Sequence, residues 1–296
     1  MKFLSVKMRI LILGCTGMIG NAILKEASKL KKHDVYGTFR NFKKKKYLNN
    51  KNLIYFNVYK KSKLKYIIKN IKPHLLINAI GVTKHVKNKK KNIFEINSIF
   101  PHYAKKIANK NNCKFIQIST DCVFNGEKGN YKEIDKPNAL DNYGVSKAKG
   151  EIVDEINLTI RTSTIGHEIV SKNGLLEWFL SQKGFCYGYK NAIFNGFPTY
   201  YFAKVLLFIL LKKKKLTGII HISGHKINKL NLLKKLKKIY KKNITITSKT
   251  ELKINRSLKN EKFKKIYKNI SNWDLLLFKM KKNHEIDSLN IKTNKS

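Results

Sequence analysis

"RILILGCTGMIGNAILKEASKLKK" (residues 9–32) decides the fold. "RILILG" (9–14) is an unbroken apolar run, the pattern of a strand covered on both faces. "MIGNAILKEASKLKK" (18–32) spaces its apolar residues as a helix does. Between them Gly14, Gly17 and Gly20 form GxxGxxG. Such a turn needs glycine for the bend, for close backbone approach to a ligand and for helix–strand packing. The helix start then offers free N–H groups and the positive end of its dipole to an anion. In this strand–turn–helix setting the pattern reads as a dinucleotide site; a turn with no ligand is the plainer alternative.

Working outward, strands and helices alternate. "DVYGTF" (34–39), "LLINAIG" (75–81), "KFIQIS" (114–119) and "LTIRTS" (158–163) read as strands. "LKYIIKNI" (64–71, ended by Pro73), residues 92–111 (kinked near Phe100 by a proline) and "YGVSKAKGEIVDEI" (143–156) read as helices. This alternation predicts an α/β fold: a Rossmann-type doubly wound parallel sheet with a smaller C-terminal α/β substrate region. The nucleotide-binding part is expected over 1–165. A substrate region partly interleaved with it is expected over 166–280, with helices at 175–182, 199–214 and 229–240 and a strand at 218–223. Residues 281–296 are polar and aperiodic, and read as a flexible tail.

Composition narrows the class. The 296 residues carry 63 Lys+Arg against 18 Asp+Glu, a formal net charge of +45. That balance raises nucleic-acid or anionic-membrane binding. The lysines are spread over the whole chain, with clusters at 43–46, 87–92, 212–215 and 234–238, and asparagine and isoleucine are abundant too. Composition drift explains this more simply than a dedicated binding face, so no specific nucleic-acid partner is expected. Cys15, Cys113, Cys122 and Cys186 show no CxxC spacing, so neither a disulfide framework nor a metal site is expected. "MKFLSVKMRILILG" runs straight into the glycine turn without a small-residue cleavage site, and reads as a strand rather than a signal peptide. "YFAKVLLFILL" (201–211) is shorter than the roughly 20 residues that span a bilayer. No membrane insertion and a cytoplasmic location are expected.

The end of the second strand selects the cofactor. An acid there reads the ribose 2′-OH of NAD, an arginine the 2′-phosphate of NADP. Here Arg40 follows "DVYGTF" with no acid nearby, which favours NADPH; the alternative is that Arg40 is one more surface cation. In "YFNVYK", Asn57 is placed to hydrogen-bond the adenine.

Tyr143 and Lys147 are spaced i, i+4, on one helix face. An ammonium one turn away should stabilise a phenolate and lower the pKa of tyrosine. Thr120, at the carboxyl edge of the sheet, supplies a hydroxyl for a carbonyl oxygen. Y-x-x-x-K alone is weak: "YKKSK" (59–63) matches it with no role implied. Order adds weight. The glycine turn comes first, then "NAIG" (78–81), then "STD" (119–121), then "YGVSK" (143–147) opening a helix.

"GCTGMIG" (14–20), "ISTDCVFNGEKGNYKEIDKPNALDNYGVSKAKGE" (118–151) and "LTIRTS" (158–163) resemble the dTDP-4-dehydrorhamnose reductase family of extended short-chain dehydrogenases/reductases. The resemblance covers about residues 8–165. It implies reduction of the 4-keto group of a nucleotide-linked deoxysugar with NADPH or NADH, in surface polysaccharide or deoxysugar biosynthesis. It implies Thr120, Tyr143 and Lys147 as the catalytic trio. It implies that Gly14, Thr16, Gly17, Met18, Ile19 and Gly20 hold the pyrophosphate, and that Ala79 and Gly81 line the cofactor cleft. Two departures fall on the sugar side. Thr164 stands in "RTSTIGHE" where these reductases carry tryptophan, and "IGVTKHVKNKKK" (80–91) lacks their acid-containing segment. Val82, Thr83, His167, Trp178 and Asn195 are candidates to face the sugar, each with a packing role as the alternative. A homodimer is compatible with this reading, though no residue specifies one. Cys122 after Asp121 disfavours a 4,6-dehydratase, which needs an acid/base pair there. A nucleotide-sugar 4-epimerase and a non-catalytic NADP-binding regulatory subunit remain as alternatives.

Overall fold

The computed structural model describes residues 6–48, 50–83, 93–169, 173–213 and 215–293; the lysine cluster at 87–92 and the chain beyond 293 lie outside the described residues. The first half runs β1 (Arg9–Leu13), α1 (Met18–Ser28), β2 (Asp34–Phe39), α2 (Phe42–Lys45), β3 (Leu53–Tyr55), α3 (Lys63–Ile71), β4 (Leu75–Asn78), α4 (Phe100–Asn109), β5 (Lys114–Ile118), α5 (Asn142–Lys149) and β6 (Leu158–Thr162). The second half runs β7 (Thr164–Ile165), α6 (Leu175–Ser181), β8 (Phe185–Tyr189), β9 (Ala192–Phe194), β10 (Phe197–Pro198), α7 (Thr199–Lys212), β11 (Gly218–Ile222), β12 (Ile227–Asn228), α8 (Lys229–Tyr240), β13 (Thr245–Lys249), β14 (Ile254–Asn255), α9 (Glu261–Ile266) and α10 (Trp273–Thr293).

Seven strands form one parallel sheet in the order β11-β6-β5-β4-β1-β2-β3. The strand order reverses beside β1, where an open α/β sheet forms its ligand crevice. The apolar run of β1 has a direct cause. Ile10 and Ile12 point into one core with Ile23, Leu24 and Ala27 of α1 and with Phe202, Leu206 and Ile209 of α7. Leu11 and Leu13 point into the other, with Leu64 and Ile68 of α3 and Phe100, Ala104 and Ala108 of α4. Both faces are covered, so alternate residues are all apolar and the doubly wound α/β architecture follows.

A third core joins Leu176 and Phe179 of α6, Leu232, Leu233 and Leu236 of α8, and Trp273, Leu277 and Met280 of α10. Its strands are short: β12-β9-β14 form one small sheet and β13-β8 another. The chain crosses back between the two parts, because α7 and β11 belong to the large sheet and its covering layer.

Three expectations change. Residues 281–293 are not a flexible tail but the last turns of α10. Lys25 pairs with Asp287 at 2.6 Å, and His284 stacks on His167 with ring centroids 3.6 Å apart. The helix expected over 143–156 stops at Lys149, because Gly150 passes so close to Asn97 that a Cβ there would lie 1.8 Å from its carbonyl oxygen. The helix expected over 92–111 contains a π turn, Glu95–Ile99, ahead of α4. Pro101 has no N–H for the carbonyl four residues back, that of Asn97, which loosens the turn there.

Candidate active site

The glycine turn is built by close backbone contact. Gly14 leaves β1 at φ +84°, a left-handed conformation that favours glycine. Its N–H donates to Thr38 Oγ1 at 3.0 Å. A Cβ on Gly20 would lie 2.3 Å from Gly14 O, so only glycine lets α1 start this tightly against the turn. Gly17 caps α1 with extended backbone and no side-chain cap, and the first turn holds no acid. The amide edge beside Thr16, Gly17, Met18 and Ile19 is therefore bare and at the positive end of the helix, which fits a pyrophosphate. Arg40 is exposed at the end of β2. Asn57 Oδ1 accepts from Tyr59 N–H at 3.2 Å, so its oxygen holds the local turn and its amide N–H₂ is the group left for a base.

The turn after β4 joins this cradle to the catalytic groups. Ile80 packs against Gly14: a Cβ there would sit 2.9 Å from Ile80 Cγ1. A Cβ on Gly81 would sit 3.9 Å from Lys147 Nζ and 3.5 Å from Asn97 Oδ1. Asn97 accepts from Val82 N–H and donates to Val82 O, both at 2.9 Å, and donates to Ser146 Oγ at 3.0 Å. One buried amide from the π turn thus pins the 79–83 turn to α5. The sequence placed Asn97 in a helix without giving it this role; the asparagine four residues before Pro101 was the available signal.

Thr120 leaves β5 in extended conformation and caps a short 3-10 turn, Asp121–Val123. Its Oγ1 accepts from Cys122 N–H at 3.1 Å and donates to Asp121 Oδ1 at 3.0 Å. Asp141 caps α5, accepting from Gly144 N–H at 2.7 Å. A Cβ on Gly144 would lie 2.2 Å from Cys122 O, so α5 begins in direct contact with the turn that follows Thr120. Lys147 is buried and its Nζ donates to Ile118 O at 2.6 Å. Burial pulls its pKa down to about 8, and Glu151 opposes that fall.

Tyr143 corrects the expectation drawn from spacing. Its proton affinity is raised: burial is the main cause, Cys122, Asp121 and Asp141 add to it, and the Thr120 hydroxyl opposes it. The lysine one turn away gives its hydrogen bond to Ile118 O and does not pull the phenol down. Arg256 crosses from the C-terminal part, donating through Nε to Phe124 O at 2.8 Å, with Nη2 3.9 Å from Asp141. No sequence pattern marked it.

The model of the RmlD substrate binding domain family matches residues 8–232. The chain belongs to this family. Among curated relatives, methionine adenosyltransferase 2 subunit beta from Bos taurus is 31% identical over 145 residues, 48% of this chain and 41% of that protein. The chain thus matches less than half the length of that relative. A hypothetical dTDP-4-dehydrorhamnose reductase from Sulfolobus tokodaii has a solved structure similar at a TM-score of 0.74 and 25% identity, covering 88% of this chain and 94% of that one. The dTDP-4-dehydrorhamnose reductase from Bacillus anthracis str. Ames, solved in complex with NADP, is similar at 0.77 and 19% identity, covering 93% and 99%. At that identity it speaks to the fold alone.

In this RmlD-domain protein the sugar-side candidates separate. Val82 and Thr83 lie beside Gly81 and Lys147, in the cleft. His167 does not join them. Its Nδ1 lies 2.7 Å from Glu177 Oε1 and its Nε2 2.8 Å from Tyr240 OH, in the packing of α6, α8 and α10. Asn195 is buried, with Nδ2 donating to Leu258 O at 2.9 Å and Oδ1 accepting from Leu258 N–H at 3.1 Å, so both its polar atoms serve the backbone. Trp178 lies part-exposed on α6. Among the described residues no group of three or more His, Cys, Asp or Glu is placed to share a metal ion, and no helix is long and apolar enough to cross a membrane.

Proposed function

We propose that this RmlD-domain protein reduces the 4-keto group of a nucleotide-linked deoxysugar with NADPH. One observation carries the reading: Thr120, Tyr143 and Lys147 converge at the β5 exit and the α5 start, and the Ile80–Gly81 turn connects them to the glycine cradle. The cradle would hold the pyrophosphate, Arg40 the 2′-phosphate, and Asn57 the adenine. Bound NADPH would supply the hydride. Tyr143 stays protonated at neutral pH because burial raises its proton affinity, and this is the form a reduction needs. It gives its proton to the carbonyl oxygen as negative charge develops there. Thr120 Oγ1, turned from Asp121, would donate to the same oxygen. The Lys147 cation adds a favourable field beside it.

The test is NADPH oxidation against a panel of dTDP-, UDP- and GDP-linked 4-keto sugars. Stoichiometric oxidation with one of them is expected, and it would exclude an epimerase, which shows no net cofactor turnover. A second reading, a non-catalytic NADP-binding subunit, draws support from the methionine adenosyltransferase 2 subunit beta relative. NADPH binding without turnover of any keto sugar would put that reading in place of the first.

A further inference from the structure

Behind the cleft, three side chains that the reaction does not use are joined. Lys147 and Glu151, one helical turn apart in sequence, hold consecutive residues of the β5 exit. Lys147 Nζ donates to Ile118 O at 2.6 Å, and Ser119 Oγ donates to Glu151 Oε1 at 2.7 Å. The next residue is Thr120. Glu151 is fixed in turn from the neighbouring strand. Arg161 on β6 grips both its oxygens, Nε to Oε1 at 2.9 Å and Nη2 to Oε2 at 2.8 Å. Ser119, Glu151 and Arg161 are all buried. The guanidinium also sits over the Phe124 ring, 5.0 Å from its centroid.

A desolvated ion pair is a poor source of net stability, because the cost of taking both charges from water offsets their attraction. Its location points to another use. We propose that Glu151 is a positioning residue: through Ser119 it fixes the strand exit that presents Thr120, and through its charge it holds Lys147 cationic. The groups around Lys147 single it out. Tyr143 shares the helix, and Thr120 and Asp121 continue the strand exit. Gly81 and Asn97 face it as neutral groups, and Arg161 stands behind Glu151. Glu151 is the carboxylate that favours the charged form of Lys147.

The importance of Lys147 rests on the reductase reading, so the test avoids turnover. The titration of Lys147 is measured by competitive labelling with trace acetic anhydride from neutral to alkaline pH, read at its peptide by mass spectrometry. Wild type, Glu151→Gln and Ser119→Ala are compared, with thermal unfolding to confirm the fold. Glu151→Gln is expected to lower the proton affinity of Lys147 by about tenfold or more, since a charge is lost in a low-dielectric setting. Ser119→Ala removes the strand tie but keeps the charge, and should leave the midpoint in place. Glu151→Gln also strands the Arg161 guanidinium. If that variant fails to fold, Glu151→Gln with Arg161→Gln removes both charges, and the same direction of change is expected. An unchanged Lys147 midpoint in a folded Glu151→Gln or double variant overturns the proposal. Absence of keto-sugar turnover would leave this outcome untouched, so the two readings fail separately.

Discussion

At the scale of single residues, the site is set by contacts that admit no side chain and by burial that moves protons. Gly20→Ala would put a methyl group 2.3 Å from Gly14 O and 2.8 Å from Gly14 C. Both are backbone atoms, so the turn must open. A loss of NADPH affinity of more than about tenfold and a destabilisation of about 2 kcal/mol are expected in fluorescence titration and urea unfolding. Gly17→Ala is the contrast. Its nearest neighbour is 3.4 Å away, so the fold should be untouched. Tyr143→Phe removes the proton donor and should lower turnover by roughly 10²–10⁴-fold while NADPH still binds. The pH profile follows from the two shifts. Tyr143 stays protonated through the neutral range. Lys147, lowered from its ordinary 10.5 to about 8, loses its charge first as pH rises. In wild type, kcat/KM for ketone reduction should therefore fall above about pH 8. A profile flat through that region would remove Lys147 from the mechanism.

At the scale of elements, the sequence was legible where periodicity was long and buried. β1, β4, β5 and β6 are covered on both faces and read as apolar runs. GxxGxxG and the Thr120, Tyr143, Lys147 set were legible because their geometry is local: a turn, a strand end and one helical turn. The rest was not, because it depends on contacts distant in sequence. β8 and β13 pair with each other across some sixty residues, and "TITSK" carries no apolar signal since much of it is exposed. The end of α5 is set by the approach of Gly150 to the Asn97 carbonyl, which nothing in "KAKGEIVDEI" reveals. Asn97 shows the same limit, and it can be tested. Asn97→Ala leaves the Val82 N–H and carbonyl and the Ser146 hydroxyl without this partner. Unsatisfied buried groups cost about 1–3 kcal/mol each, so a destabilisation of about 2 kcal/mol is expected, with faster amide exchange at Val82 while the α5 amides keep their protection. Uniformly faster exchange across α5 would mean that Asn97 supports the helix rather than the turn.

At the scale of the whole molecule, the two parts are interlocked. β11 enters the large sheet after α7, next to β6, and places His221 beside Arg161. The segment after β14 reaches the other way: Tyr131 N–H donates to Ser257 O at 2.9 Å and Lys259 N–H donates to Tyr131 O at 2.7 Å. His221 stands at this seam, fully buried, with Nδ1 3.0 Å from Lys259 O and Nε2 3.5 Å from Arg161 Nη1. The ring fits there neutral, donating from Nδ1 to the carbonyl and accepting at Nε2 from the guanidinium. Burial, followed by the Arg161 charge, lowers its pKa from the ordinary 6.5 to about 3. The sign follows. Between those values the unfolded chain binds a proton that the native state does not, so stability falls as pH falls. The stabilisation is complete above about pH 6.5 and is lost progressively toward pH 3. Each pH unit in that window removes at most about 1.4 kcal/mol, so the full effect is of the order of a few kcal/mol. His221→Asn keeps a donor for Lys259 O but does not titrate. It should be less stable than wild type at neutral pH, through lost packing, and its urea-unfolding free energy should change less steeply from pH 6.5 to 3. Wild type and variant losing stability in parallel would place the acid sensitivity elsewhere, in carboxyl groups such as Asp154, whose pKa is held down at about 2 by the Asn157 and Ile156 N–H groups and Lys105 despite the opposing effect of burial. A steeper wild-type curve would mean that the seam between the two parts opens when this one imidazole is forced to take a proton beside Arg161.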